Sequence, residues 1–253
     1  MIRGLYASYS GMRAMLMRQD VIASNLANSN SVAYKQDFAT VQAFPSREIT
    51  RIVGKGDGGA PLELGLVGDS QGGSLLGIVR TDFSQGALKE TGLSTDLALE
   101  GDGFFVVRNP AGERLYTRAG NFTVDASGRL IGPGGYPVLG DDGNDLQVGK
   151  RDFFVREDGR IMLGDEYVGR LMLVSFTDLD SLEKVGEGLF RAHGELAAPN
   201  ALVRQGYLES SNVDAVEQMV SMIECFRAYE SSQRLVQVQD RTLQRLIDQV
   251  GKV

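Results

Sequence analysis

Cysteine, histidine and proline are scarce: one, one and six in 253 residues. The single Cys225 cannot form an intramolecular disulfide, and a thiolate metal site would need ligands that the chain lacks. It reads as a small apolar filler on a helix. A histidine-based triad would have to use His193, which lies between Arg191 and Gly194 in a loop-like stretch, and no Gly-x-Ser-x-Gly nucleophile motif is present. The net charge is −7, with no Lys/Arg cluster of the kind that displaces phosphate counterions, so nucleic acid and anionic lipid are not expected partners. No apolar run approaches the roughly 18 residues of a membrane helix, since Arg13 and Arg18 interrupt the first one. No small-residue cleavage signal follows it, so by ordinary signals the chain reads as cytoplasmic, without membrane insertion.

Glycine, by contrast, is abundant. There are 32, most of them between Gly54 and Gly206, where short apolar runs alternate with turns. Gly103-Phe104-Phe105-Val106-Val107-Arg108 reads as a buried strand followed by the turn Asn109-Pro110-Ala111-Gly112. Leu115 to Arg118, Phe122 to Asp125, Arg129 to Ile131 and Tyr167 to Phe176 continue the pattern. Phe153 to Arg156 and Arg160 to Leu163 flank Asp158-Gly159, a two-residue hairpin signal.

None of the glycine clusters has the context for nucleotide chemistry. Gly54-Lys55-Gly56-Asp57 lacks the Lys-Ser/Thr ending of a phosphate loop, and Gly101-Asp102-Gly103 precedes a strand instead of a helix. Asp141-Asp142-Gly143-Asn144-Asp145 lacks the spacing and the final glutamate of a calcium loop and reads as a solvated turn. No catalytic residue, cofactor or metal is expected.

The two ends are helical in pattern. Ile2, Tyr9, Leu16 and Ala23 recur every seven residues, as do Leu5, Met12, Gln19 and Leu26, until Asn28-Ser29-Asn30-Ser31 offers the backbone competing hydrogen bonds. From Asn212 to Val250 there is neither glycine nor proline, enough for a helix of about 58 Å. Asp214 and Glu217 have capping-box spacing at its start, and Arg241, Arg245, Lys252 and Gly251 suit its end. One seam runs Met222, Phe226, Tyr229, Gln233, Val236, Asp240, Leu243, Ile247, Val250, and a shorter one Val213, Val216, Val220, Ile223. An intramolecular helical hairpin accounts for part of this. A helix so long cannot bury two apolar stripes against one short partner, and leftover stripes mark interfaces.

The expected fold class is α+β: an antiparallel β-rich central domain inserted between long N- and C-terminal coiled-coil-type helices. Residues 1–44 and 208–253 form the helical domain, 45–74 a linker or assembly-dependent loop, and 75–207 the β-rich domain. The assembly face is assigned to Leu5, Met12, Leu16, Asn25, Leu26 and Asn28 at one end. At the other it comprises Val216, Val220, Met222, Ile223, Phe226, Tyr229, Val236, Leu243 and Ile247.

Three separated motifs resemble the flagellar hook–basal-body rod family. The first is Ser10-Gly11-Met12, then Asp20 to Asn28, then Tyr34-Lys35. The central one is Asp96 to Phe105 with Tyr116-Thr117-Arg118-Ala119-Gly120-Asn121-Phe122. The last is Gly206 to Asp214, followed by Met219, Met222-Ile223 and Arg227-Ala228-Tyr229-Glu230. Two positions depart from the family pattern: Ala33 stands where a glycine is usual before the aromatic-lysine pair, and Phe226 where a glutamine is usual. The resemblance implies a distal- or proximal-rod subunit, exported by the flagellar type III apparatus without signal cleavage. Its partners would be further copies of itself in a helical homopolymer and the adjoining rod and hook proteins. Its location would be the flagellar basal body, outside the cytoplasmic membrane, with the terminal helices lining the inner tube and the β domain outside. The competing readings are a secreted β-domain module binding a glycan or surface ligand on a helical stalk, and an enzyme housed in the β domain.

Overall fold

A computed structural model describes residues 2–55, 61–70, 72–149, 153–186 and 188–250. A helix opens the chain, strands fill the middle and a second helix closes it, as an α+β fold requires. The first helix, α1, spans Ile2–Ala27 and the second, α2, spans Ala215–Val250. Gly251 and Lys252, read above as the end of α2, lie outside the described residues, as do Gly56 to Gly59 of the glycine cluster.

The chain divides into two compact units. One comprises Met1–Ser24, Phe38–Arg80 and Val216–Val253; the other comprises Asn25–Asp37 and Thr81–Ala215. The first contains nearly all of both helices and two small sheets. Asp37–Ala43 pairs with Ser74–Thr81, and Arg47–Lys55 pairs antiparallel with Pro61–Ser70. Residues 45–74, expected as a linker or assembly-dependent loop, therefore carry strands. The signal was present as alternation: Leu62, Leu64 and Leu66 recur at period two opposite a run rich in β-branched residues, Ile49, Thr50, Ile52 and Val53. The glycines scattered through the segment obscured it.

The second unit is built on a six-stranded antiparallel sheet. Its order is Leu182–Gly186, Leu189–Ala192, Arg114–Thr117, Phe104–Arg108, Leu173–Phe176 and Leu196–Ala197. The apolar run at 104–107 follows from a sheet covered on both faces. Phe105 and Val107 point into one cluster with Leu97, Leu115, Phe122, Leu130 and Ile161, while Phe104 and Val106 point into a second with Tyr116, Val174, Phe176 and Phe190. Aromatic rings meet edge to face in both, Phe105 on Phe122 at 5.0 Å and Tyr116 on Phe176 at 4.9 Å. Gly120 stands where the chain crosses the Leu97 carbonyl so closely that any Cβ would collide with it.

One turn recurs through this unit. In 109–113, 125–129, 140–144 and 156–160 the first residue's N–H reaches the fifth residue's carbonyl, and the fourth residue's N–H reaches the first carbonyl. The fourth residue is always glycine, at φ 83, 82, 77 and 84 for Gly112, Gly128, Gly143 and Gly159. A three-residue loop ending in a left-handed residue is the hairpin form that glycine favours. Asp158-Gly159 is thus the end of a three-residue loop, not a two-residue hairpin. The aspartate-rich stretch at 141–145 is another copy of the turn, with Asp142 accepting from the Asn144 N–H at 3.1 Å and from Asn144 Nδ2 at 2.9 Å.

The expected single strand at 167–176 is two, Glu166–Arg170 and Leu173–Phe176, in different sheets. Leu171 N–H is taken by Gly159 and Met172 N–H by Leu139, so the chain changes sheets between them.

Candidate assembly surface

Within the first unit α1 and α2 run antiparallel. Cys225 Sγ lies 3.0 Å from Met15 O, Gly11 sits against Ser232, and Gly4 against Gln239. The α2 face turned inward is Gln218, Met222, Cys225, Tyr229, Ser232, Val236, Gln239 and Leu243, a three-four spacing that puts them on one stripe. Opposite it α1 offers Gly4, Ala7, Gly11, Ala14 and Ile22. These small residues give α1 little apolar area of its own to set against Met222, Tyr229, Val236 and Leu243.

Many large apolar side chains point outward as well. On α1 Tyr6, Tyr9, Leu16 and Met17 are exposed; on α2 Val216, Met219, Val220, Ile223, Phe226, Leu235, Val238, Leu246 and Ile247 are. Val216 and Ile247 are 68% and 70% accessible. Of the residues assigned to assembly from sequence, Leu16, Val216, Val220, Ile223, Phe226 and Ile247 lie on these outer faces. Leu5, Met12, Leu26, Asn28, Met222, Tyr229, Val236 and Leu243 are half-buried. Tyr9 and Leu16, expected in the same heptad seam, are exposed while Gly11 and Ala14 occupy the contact. The side chains of Ile2 and Val250 are not among those described.

Beside α1 is a groove of about 470 Å³. Tyr6, Tyr9, Arg13, Met17 and Phe44 form its walls, and Ser10, Ala14, Gly72 and Ser74 its floor. The floor is held by a hydrogen bond from Ser74 N–H to Ser10 Oγ at 3.1 Å and by Phe44 N–H on Gly73 O at 2.9 Å.

Asn25 behaves differently from the rest. Like Leu26 and Asn28 it belongs to the second unit, but it is 1% exposed. Its Oδ1 accepts from Asp37 N–H at 3.0 Å and from Tyr34 Oη at 3.3 Å, and its Nδ2 donates to Asp37 O at 2.8 Å. Its own chain encloses it as the brace of the turn after α1.

That turn leads to an ionic joint that sequence reading did not find. Lys35 Nζ donates to Glu209 Oε1 at 2.6 Å and to Ser84 O at 2.7 Å, and Gly86 N–H donates to the same carboxylate oxygen at 2.9 Å. Arg118 Nη1 lies 3.6 Å from Glu209 Oε2, and its guanidinium stacks over the Phe104 ring at 5.2 Å. All three side chains are nearly inaccessible. Burial pushes the Lys35 amine down from its ordinary value and the Arg118 guanidinium likewise, with Glu209 opposing the shift in each. Arg118 Nε and Nη1 and Glu209 Oε2 make no hydrogen bond, so the cluster is incompletely satisfied. Asn212 adds neutral ties, accepting from Gln36 N–H at 2.8 Å and donating to Asp82 O at 3.0 Å. The three charges come one from each motif stretch, which was the only sequence clue that they meet.

Among the described residues no helix is long and apolar enough to cross a membrane, and no group of three or more His, Cys, Asp or Glu side chains could hold a metal.

Comparison with known proteins matches three family descriptions in chain order. They are flagella basal body rod protein over residues 5–35, flagellar hook protein FlgE/F/G D1 domain over 98–163, and flagellar basal body rod FlgEFG protein C-terminal over 204–249. The chain is 32% identical over 267 residues to the flagellar basal-body rod protein FlgG of Bacillus subtilis, covering 98% of this chain and 99% of the relative. It is 33% identical over 261 residues to the rod protein FlgF of Caulobacter vibrioides, covering all of both, and 32% identical to that organism's FlgG over 96% of this chain and 97% of the relative. Full-length likeness at this level, joined to the order of the three matches, places the chain in the flagellar basal-body rod protein family.

Proposed function

We propose that this protein is a non-enzymatic structural subunit of the bacterial flagellar basal-body rod, and that it polymerises through its terminal helices. The family relationship supports the rod role. The observation that supports polymerisation is the apolar surface left outside the helix pair: with Met222, Tyr229, Val236 and Leu243 already in the seam, Tyr6, Tyr9, Leu16, Val216, Val220, Ile223, Phe226 and Ile247 are still exposed. A helix pair made to stand alone would carry polar residues there. Covering each exposed Val, Ile, Leu or Phe contributes about 1.5–3 kcal/mol at full burial, so a second layer of helices is strongly favoured once copies meet. The outer stripes then act as coiled-coil-type seams between copies.

Further copies of the chain, the adjoining rod and hook proteins, and the flagellar export apparatus during secretion are the partners of this reading, and the basal body is its location. The alternative of a glycan- or surface-binding module gains nothing from the relatives, whose names describe basal-body rod proteins. Deletion of the gene followed by electron microscopy of purified basal bodies tests the reading. Rods that are missing or shortened are the expected result; full-length rods and normal motility overturn it.

A further inference from the structure

The groove beside α1 and the ridge at the start of α2 match each other, and they cannot meet within one copy. The ridge is Val216, Val220 and Ile223, more than half exposed, on the side of α2 away from the seam that holds Gln218 and Cys225. The groove walls Tyr6, Tyr9 and Arg13 lie on the side of α1 away from Gly4 and Gly11. At 3.6 residues per turn, both surfaces point away from their own partner helix.

Resting on the reading of the protein as a helix-mediated polymer, we propose that the α2 ridge of one copy docks antiparallel into the α1 groove of a second copy. Arg13 then meets Glu217, and the Tyr6 hydroxyl meets Glu224. Spacing carries the register. Tyr6 and Arg13 are seven residues apart, as are Glu217 and Glu224, so two donors on one helix face two carboxylates on the other. In that register Val220 falls over Ser10, one of the small residues that line the groove. A branched side chain thus enters the hollow and charges close its rim, the arrangement that gives an interface both burial and register.

Antiparallel docking follows because α1 and α2 are antiparallel within a copy, and copies stacked in one direction preserve that relation. The contact is heterologous, ridge on groove, and leaves the second copy's own ridge open for a third. Such a contact, unlike a two-fold one, can be continued from copy to copy, as a rod demands.

The test uses cells whose sole copy of the gene is the variant, scored by swimming in soft agar and by electron microscopy of basal bodies. Circular dichroism of the purified full chain and the exported amount serve as folding and export controls. Arg13→Glu and Glu217→Arg are each expected to reduce swimming to the level of the gene-deletion strain, and the double variant R13E/E217R to restore it. Restoration also separates docking from export, because an export defect at Arg13 is not repaired by a change in α2. If both single variants swim normally, or both fail and the double variant fails as well, the pairing is overturned. The polymer reading has its own arm: Ile223→Asp, which removes ridge burial whatever the register, must abolish rods. Normal rods with Ile223→Asp overturn that reading itself.

Discussion

The two units solve opposite problems. The sheet unit encloses its large side chains: Leu97, Leu99, Phe105, Val106, Val107 and Ile161 have no accessible surface, and the rings of Phe104, Phe105, Tyr116, Phe122, Phe176 and Phe190 pack edge to face. The helical unit buries Ala14, Ile22 and Cys225 and presents Tyr6, Tyr9, Val216, Val220, Ile223, Phe226 and Ile247. One is stabilised by its own interior, whereas the other leaves much of its apolar surface exposed. Exposed apolar area on a long helix is informative only beside a region of the same chain where the ordinary rule holds, and this chain supplies both.

The largest effect that would sharpen the contrast is at the ionic joint. Glu209→Gln leaves Lys35 and Arg118 as two buried cations with no anion in contact, and the sheet unit is expected to lose about 4 kcal/mol in urea unfolding. A change below about 1 kcal/mol would mean that water reaches the cluster and that the unit is less self-contained than its packing indicates. Phe105→Ala comes next. It opens a cavity at the centre of the sheet, with an expected loss of about 3–4 kcal/mol by the same measurement.

Ile223→Ala, by comparison, removes a side chain of similar apolar character from the helical unit. It is expected to change the stability of dilute monomer by less than about 0.5 kcal/mol, while reducing assembly. If Ile223→Ala destabilised the monomer as Phe105→Ala does, the distinction between the units would fail. Gly11→Ala has the opposite sign. A Cβ there would meet only Ser232 Oγ at 3.9 Å and Ser74 Oγ at 4.0 Å, so the seam accepts it, and thermal unfolding should show a gain of about 0.5–1 kcal/mol from helix propensity.

The smallest effect is in the pH dependence. Burial holds Lys35 below its unfolded value of 10.5. Between the folded and unfolded values the unfolded chain binds more protons, so this group's contribution to stability rises with pH through that window and is least favourable below it. Lys35→Met abolishes that rise. Urea midpoints of the two proteins, followed towards pH 10.5, should therefore diverge in slope; parallel curves would show that Lys35 is not desolvated.

Much of this was written in local pattern. The 26- and 36-residue helices follow from seven-residue repeats and the lack of breakers, and α1 ends at Ala27, where Ser29 Oγ and Ser29 N–H both turn to Leu26 O. Phe104 to Val107 announced a strand with two buried faces. The register of the helix pair was less legible, because heptad reading seeks large apolar side chains and the seam here is lined by Gly4, Gly11 and Ala14. The hairpin at 47–70 was hidden by its glycines. Ala33 carried a backbone signal as well as a motif departure. At φ 51 it is the non-glycine residue with positive φ among those described, held there 2% exposed with its N–H on Glu209 O at 2.8 Å.

By itself the sequence determined which segments are helix and strand, which family motifs are present, and that the ends carry more apolar surface than one partner helix can cover. Those are properties of neighbours along the chain, where periodicity and turn chemistry act over a few residues. Tertiary structure alone decided that Lys35, Arg118 and Glu209 share one buried site, with Lys35 and Glu209 174 positions apart. It alone decided that α1 meets α2 through Gly4 and Gly11 instead of Tyr9 and Leu16. Both depend on which surfaces the folded backbone brings within a few ångströms, and desolvation and close packing act only at that range.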